Sequence, residues 1–183
     1  MLARRWILPG STRNVLLSAV LFSTLIALLT FAHSASAEPA AATSATLTVD
    51  GEVARPHVFD ESELATMPQV TEHVADEKGN PVTYAGVPLS EILARAGAPL
   101  GKALRGKQMT LYLLVTASDG YRALFALAEL DPAYTDKIVL LADRRDGHPL
   151  AAAEGPLRFV VPGEKRHARW VRNVTTLSIR RAN

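Results

Sequence analysis

Hydrophobic and polar positions alternate over much of the chain after residue 45, and this alternation predicts a domain built mainly from short strands. The stretch Thr46-Leu47-Thr48-Val49 alternates and is followed by Asp50-Gly51, which predicts a first strand and a turn. A long apolar run over 109–117, the turn Ser118-Asp119-Gly120 and a second run over 121–125 predict a hairpin. The same reasoning predicts further strands over 70–74, 138–142, 157–161 and 174–180.

Two segments have the spacing and boundary residues of helices. Asp60 precedes an acidic first turn, which predicts a short helix that ends before Pro68. A second helix is predicted from four apolar residues on one face, between a proline near its start and a glycine past its end; these are Leu89, Ile92, Leu93 and Ala96. Many strands and few helices, in no regular order, predict an α+β domain around a mixed or antiparallel sheet.

The N-terminal segment has the pattern of an export signal. Arg4, Arg5 and Arg13 precede an apolar run over 15–32, and Ala35-Ser36-Ala37 follows it. This predicts a signal peptide over 1–37, a disordered segment over 38–45 and one domain over 46–183 in the periplasm. A membrane anchor is the alternative for the apolar run, and both the general secretory and the twin-arginine export routes remain open.

Charge and cysteine content exclude several classes of function. Without the three arginines of the signal, the 20 basic residues are reduced to near balance with the 18 acidic ones, so the domain lacks the basic excess of a nucleic-acid-binding protein. The chain has no cysteine. Thiolate metal ligands, cysteine nucleophiles and iron–sulfur clusters held by this chain are therefore excluded.

Common catalytic and metal-binding motifs do not occur in the sequence. There is no G-x-S-x-G, no phosphate-binding G-x-x-x-x-G-K-S/T and no H-E-x-x-H. The histidines after residue 37 do not recur at the short spacings with which one element presents two of them to a metal. We therefore expect neither catalytic residues nor a metal site from the sequence.

One segment, over 155–173, concentrates candidate binding residues. It contains a strand-like run, a Pro162-Gly163 turn and then a cluster of cations around a tryptophan, namely Lys165, Arg166, His167, Arg169, Trp170 and Arg172. Guanidinium groups suit an anionic or carbonyl-rich ligand, and an indole face suits a flat ring. The alternative is that Trp170 anchors the core and the cations form a solvated rim.

The order of motifs along the chain resembles the sulfite-oxidase-type molybdopterin-binding domain over 47–179. These motifs are Tyr84-x-Gly86-Val87-Pro88-Leu89-x-x-Ile92-Leu93-x-x-Ala96-Gly97, Ser118-Asp119-Gly120-Tyr121, Leu140-Leu141-Ala142, Asp146-Gly147-x-Pro149-Leu150, Gly155-Pro156-Leu157-Arg158-Phe159-Val160-Val161-Pro162-Gly163 and Arg169-Trp170. The resemblance implies a mixed α+β fold and a dithiolene pterin that holds molybdenum, with a cysteine thiolate on the metal. This chain has no residue to supply that thiolate.

The resemblance also implies the ligand-binding residues. Trp170 is expected to stack on a bicyclic pterin ring, with Arg169 beside it, and Asp119 is the candidate acceptor for the guanidine-like edge of the ring. Tyr84 and Tyr121 are expected to line the pocket, and Arg158 either reaches the ligand or pairs with Glu154. Lys165 and Arg166 are expected near a phosphate, or to be left for a partner. Each aromatic residue has a core role as its alternative, and Asp119 has a turn role.

A short, exported and cysteine-free domain of this kind resembles the periplasmic pterin-binding proteins that regulate a membrane-bound diguanylate cyclase/phosphodiesterase. The function expected from this resemblance is a sensor that binds a reduced pterin without metal and is not an enzyme. The alternative is a molybdenum-cofactor-dependent oxidoreductase in which water or another side chain replaces the thiolate.

Overall fold

The computed structural model describes residues 45–182. The signal peptide expected over 1–37 lies outside the described residues, and so does the segment expected to be disordered over 38–45, apart from Ala45, which is buried. No helix in the described part of the chain is long and apolar enough to span a bilayer.

Five strands form the first sheet, in the order β2-β1-β10-β5-β6. Their bounds are Thr46–Gly51 for β1, His57–Asp60 for β2, Leu111–Ala117 for β5, Arg122–Ala126 for β6 and Val174–Arg181 for β10. Strand β1 runs parallel to the C-terminal β10, and all other neighbours are antiparallel. The sheet is therefore mixed, as the strand-rich, irregular element order predicts.

The second sheet has the strand order β3-β4-β7-β8, and a further strand, β9, also pairs with β7. Their bounds are Val70–Ala75 for β3, Pro81–Pro88 for β4, Leu140–Arg145 for β7, His148–Pro149 for β8 and Arg158–Val160 for β9. Strands β4 and β7 approach so closely that a Cβ built on Gly86 would lie 2.2 Å from the carbonyl oxygen of Leu141. Only glycine fits at that position without moving one strand.

Two short helices follow strands directly. Helix α1 spans Glu61–Thr66, and the Asp60 side chain caps it by accepting from the amide of Glu63 at 2.8 Å. Helix α2 spans Leu89–Arg95 and buries Leu89, Ile92 and Leu93. Both predicted helices are confirmed. They were predictable because capping and apolar spacing are local signals, and tertiary contacts do not override them here.

Alternate residues of both sheets form one hydrophobic core. The first sheet contributes its inward-facing residues such as Leu47, Val115 and Leu177, and the second contributes Leu141 and Phe159, all almost completely buried. The α+β prediction is confirmed by this arrangement of one mixed sheet, one antiparallel sheet and short helices.

Several strands differ from the prediction, among them β7, which spans Leu140–Arg145 instead of 138–142, and β8, which the pattern does not predict. The run over 109–117 begins as a strand only at Leu111, because Met109 lies in a 3₁₀ turn over Gly106–Thr110 and is exposed. Strand β4 is not among the strands that the pattern predicts, since it ends in the proline that marks the start of helix α2. Strand β2 was not predicted, because its outward residue Val58 breaks the alternation at a sheet edge.

Candidate functional site

An open cleft lies where the β3–β4 turn, the end of β7, β9 and the segment after the Pro162-Gly163 turn meet. We call it the Arg158 cleft, and its lining residues are Asp76, Glu77, Lys78, Tyr84, Arg145, Glu154, Arg158, His167 and Arg172. Its volume is about 210 Å³, which is smaller than the usual small-molecule site of about 300–1,000 Å³, so the cleft suits one edge of a ligand rather than a whole cofactor. Carboxylates and cations alternate around it, so the cleft offers both acceptors and donors to a ligand.

Arg158 is the buried cation of this cleft. Its side chain is 4% exposed, and its Nη1 lies 2.9 Å from Oε2 of Glu154. The Nε of the same guanidinium is buried and has no hydrogen-bond acceptor within residues 45–182. Since a buried donor without a partner is costly, the guanidinium that lines the cleft retains one unsatisfied hydrogen-bond donor.

Arg145 extends the same charged network from the end of β7. Its Nη1 donates to Oε1 of Glu154 at 3.0 Å, and its Nη2 lies 3.7 Å from Oδ2 of Asp76. Burial acts to lower the pKa of Arg145, but nearby negative groups such as Glu154 and Asp146 outweigh it, and the pKa is raised. Arg145 therefore stays cationic throughout the accessible pH range.

The acidic side of the cleft is positioned by the β3–β4 turn. Oδ1 of Asp76 accepts from the amides of Lys78 and Asn80, both at 2.8 Å, so the aspartate fixes its own turn. The hydrogen bond from the backbone of Asn80 is the largest cause of the lowered pKa of Asp76. This carboxylate is therefore ionised at neutral pH and faces Arg145.

Tyr84 on β4 forms the back wall of the cleft and is 1% exposed. The guanidinium carbons of Arg158 and Arg145 lie 5.3 Å and 5.7 Å from the centre of its ring. Burial raises the pKa of the phenol, and the positive charge of Arg158 opposes that rise. Tyr84 thus contributes a neutral aromatic surface on which the two cations rest.

A second hollow adjoins the cleft. We call it the Tyr121 hollow. Its volume is about 230 Å³, and its lining residues are Glu77, Ala117, Asp119, Tyr121, His167, Ala168, Trp170, Val171 and Arg172. Glu77, His167 and Arg172 line both spaces. An ion pair of 3.1 Å joins Glu77 to Arg172, and both side chains are about half exposed, so this boundary between the two spaces is formed by solvated groups.

Trp170 does not present an open indole face. The residue is 4% exposed, and its Nε1 donates to the carbonyl of Val161 at 3.0 Å. The imidazole of His167 stacks on the indole, with ring centres 3.7 Å apart and an angle of 13° between the planes. A flat ligand in this conformation meets His167, and the expected stacking on Trp170 requires that His167 move away. That stacking stays a prediction.

Other expected ligand residues lie in the hollow but are engaged locally. Asp119 accepts from the amide of Tyr121 at 2.8 Å, which is its role in the hairpin turn. The hydroxyl of Tyr121 donates to the carbonyl of Ala168 at 2.6 Å, and the residue is half exposed. Asp119 and Tyr121 still line the hollow, so the structure brings both residues to the same site as Trp170.

Three expected ligand residues line neither space in the part of the chain that the structure describes. Arg169 lies over the ring of Phe125 at 4.3 Å and forms ion pairs with Glu129 and Glu164. Lys165 and Arg166 are exposed on the loop after the Pro162-Gly163 turn. The structure therefore places these three cations outside both spaces. For Arg169 the cause is local, because successive side chains of the 3₁₀ turn His167–Arg169 point in different directions.

The cleft includes residues that sequence reasoning did not assign to it. Asp76, Lys78 and Arg145 come from a turn and a strand end more than sixty positions apart, and only the pairing of β4 with β7 brings them together. Glu154 was considered only as a partner of Arg158. A signal was present in the Asp-Glu-Lys-Gly-Asn turn, but its composition is typical of an ordinary solvated loop.

The fold and the site can be compared with known proteins. No curated protein matches this chain. Among solved structures, the sulfane dehydrogenase SoxCD from Paracoccus pantotrophus matches with a TM-score of 0.59 and 25% sequence identity. The match covers 73% of this chain and 37% of that chain, so the present chain corresponds to little more than a third of its length.

The family comparison covers the whole described domain. The model of the oxidoreductase molybdopterin-binding domain matches residues 34–183, which include every strand and helix described above and all residues of both spaces. The sulfite-oxidase-type fold expected from the order of motifs is thereby confirmed. On this evidence the chain belongs to the oxidoreductase molybdopterin-binding domain family.

Proposed function

We propose that this chain binds the pterin of a molybdopterin-type cofactor, with the Arg158 cleft holding its polar edge and phosphate. The observation that carries the proposal is the buried guanidinium of Arg158, whose Nε has no acceptor among the described residues and which lines a cleft large enough for one edge of a pterin. The family match and the likeness to a sulfane dehydrogenase favour a molybdopterin ligand over a simple reduced pterin.

The residues of the cleft fit the chemistry of a pterin. A pterin edge alternates donors and acceptors, and the cleft provides the carboxylates of Glu77 and Glu154 for its amino and ring N–H groups. Arg158 and Arg172 provide donors for its carbonyl and for phosphate oxygens. His167 provides a flat ring at the boundary of the two spaces.

The residues do not fit a molybdenum ion held by the protein through sulfur. The chain has no cysteine. Within residues 45–182, no three side chains of histidine, aspartate or glutamate converge in a way that could hold a metal. Molybdenum carried by a bound cofactor would therefore need water, hydroxide or another group in place of a protein thiolate.

Two functions are consistent with pterin binding. The first, which the comparisons favour, is an oxidoreductase-type domain that binds molybdenum cofactor without a cysteine ligand. The second is a periplasmic sensor that binds a metal-free pterin and reports its occupancy to a membrane-bound partner such as a diguanylate cyclase/phosphodiesterase. The specific observation that favours the second function is that the chain has no cysteine, and therefore no thiolate to bind molybdenum.

One measurement separates these functions. The protein is purified from its native compartment, its molybdenum content is determined, and the small molecules released by denaturation are identified by mass spectrometry. Molybdenum equimolar with protein supports the first function, and a pterin without molybdenum supports the second. If no pterin is released and none binds when molybdopterin or tetrahydropterins are added, both functions are refuted.

Paired variants test the position of the phosphate. Lys78→Gln with Arg172→Gln removes two cations from the rim of the cleft, and we expect affinity for a phosphorylated pterin to fall about tenfold. Lys165→Gln with Arg166→Gln removes the same charge from the exposed loop outside both spaces and serves as the matched control. A larger loss in the control pair would place the phosphate on that loop instead.

A further inference from the structure

A second cavity is lined by residues of helix α1, the end of β4 and the β7–β8 hairpin. Its volume is about 140 Å³, close to the volume of one small hydrocarbon ring. No described residue lines both this cavity and the Arg158 cleft. Nothing in the proposed pterin chemistry uses this cavity, so an explanation for it must come from its own residues.

One part of the wall of this cavity is apolar. Leu64, Val87 and Leu157 line it and are at most 6% exposed, and Ala45, Leu150 and two prolines extend this apolar part, whereas Glu61, Gln69, Asp143 and Arg144 form the polar part. Such a surface favours a ligand with a compact hydrocarbon body, because burial of apolar area is the main source of affinity in small-molecule sites.

Asp143 brings a carboxylate to this apolar wall. It lies in β7 at the point where the pairing with β4 shifts, so that Ala85 faces Arg144 and Gly86 faces Ala142. Asp143 is therefore the extra residue of a β-bulge, and bulges re-aim the side chains that they carry. The register shift leaves Asp143 without a partner on β4, and its side chain lines the cavity.

One oxygen of that carboxylate has no partner. Oδ2 of Asp143 is 4.0 Å from Nε of Arg144, but Oδ1 is buried and accepts no hydrogen bond from any described residue. Burial raises the pKa of Asp143, and the charge of Arg144 only partly offsets that effect. The side chain of Asp143 as a whole is 46% exposed, so its desolvation is confined to Oδ1, and a donor from a ligand would satisfy that oxygen.

The charges around the cavity select the type of donor. Asp143 and Glu61 are negative and Arg144 is positive, so the cavity has a net negative charge when Asp143 is ionised. A divalent metal needs more oxygen ligands than these, and no group of three metal-binding side chains occurs among the described residues. A single ammonium group matches both the charge and the one unsatisfied oxygen.

We propose that this cavity is a binding site for a small organic ammonium compound, whose charged group donates to Oδ1 of Asp143 while its hydrocarbon body packs against Leu64, Val87 and Leu157. The site is separate from the pterin cleft. The proposal therefore stands or falls independently of the proposed function.

The test uses the full chain and three primary ammonium probes of increasing size: butylammonium, cyclohexylmethylammonium and 2-phenylethylammonium chloride. Binding is measured by calorimetry at neutral pH and located by amide chemical shifts. We expect saturable 1:1 binding of at least one probe, with shifts at α1, at the end of β4 and at the β7–β8 hairpin. The neutral alcohol of the same shape should bind about tenfold or more weakly.

The variant Asp143→Asn keeps the size of the side chain and removes its charge. We expect it to weaken binding of the ammonium probe about tenfold or more and to leave the weak binding of the alcohol unchanged. Asp136→Asn, an exposed carboxylate on another loop, is the matched control and should change neither. The proposal is overturned if no probe binds, if Asp143→Asn binds as tightly as the original chain, or if the shifts appear around Glu154 instead.

Discussion

The ion pair between Arg158 and Glu154 gives the sharpest quantitative prediction about the cleft. Glu154→Gln keeps the shape of the side chain and leaves the guanidinium of Arg158, with a side chain 4% exposed, without its counter-charge. Removing one member of a buried pair costs roughly 3–5 kcal/mol. Because Glu154 is 20% exposed and glutamine still offers one acceptor, we expect about 2–3 kcal/mol here.

Urea denaturation followed by far-ultraviolet circular dichroism measures this loss. With a slope of about 2 kcal/mol per molar urea for a domain of this size, the midpoint should fall by about 1–1.5 M. Arg145 also loses a contact in this variant, but it keeps Asp76 and Asp146 nearby and is less buried, so the larger part of the loss should come from Arg158.

Two further variants separate desolvation from simple loss of a contact. Glu77→Gln removes the partner of Arg172, a pair whose side chains are 60% and 48% exposed, and should cost only about 0–1 kcal/mol. The double variant Glu154→Gln with Arg158→Met removes both charges and should be more stable than Glu154→Gln alone. Equal losses for the two glutamate variants, or a double variant less stable than the single one, would refute the idea that Arg158 is desolvated.

Four further outcomes are expected. Asp143→Asn should raise the melting temperature at neutral pH, because a pKa raised above 3.8 means that the folded state resists ionisation and loses stability as pH rises through that window. The gain should disappear below pH 3.8, and a gain that persists there would contradict this reasoning. Gly86→Ala should destabilise the fold by about 1–3 kcal/mol in urea denaturation, since the new Cβ would lie 2.2 Å from a backbone oxygen; an unchanged midpoint would mean that β4 and β7 separate easily. His167→Ala should increase acrylamide quenching of Trp170 fluorescence, because it uncovers the indole. Where the N-terminal segment is retained, Trp6 contributes equally to the fluorescence of both proteins. Unchanged quenching would show that another group covers the ring. Arg169→Gln should cost about 1 kcal/mol of stability and leave pterin affinity unchanged. A loss of pterin affinity would show that Arg169 contacts the ligand.

Local signals in the sequence were sufficient for most elements of the fold. These signals act within a few residues, so they can be recognised without knowledge of the fold. They are the capping aspartate at residue 60, the apolar spacing of α2 and the alternation in β1 and β10. Strand β2 was missed because an edge strand exposes an apolar residue that breaks the alternation. The 3₁₀ turn before β5 was missed because its apolar Met109 is exposed rather than buried.

The binding residues were predicted less completely than the fold. Three members of the cationic segment, His167, Trp170 and Arg172, line the cleft or the hollow, and their expected role in binding stays a prediction. The members of this segment nevertheless diverge, and Arg169 packs on Phe125 on another side of the turn. Sequence proximity gave no information on direction, because on a 3₁₀ turn successive side chains point about a third of a circle apart.

The sequence by itself determined the α+β class, the family and the absence of any thiolate, because residue types and their local periodicity carry that information directly. Only the tertiary structure decided which charges meet in the Arg158 cleft, that an imidazole covers the indole of Trp170, and that a bulge turns Asp143 toward an apolar wall. These features depend on strand pairing and register between distant segments. A one-residue shift in register reverses where a side chain points, and no local pattern encodes that shift.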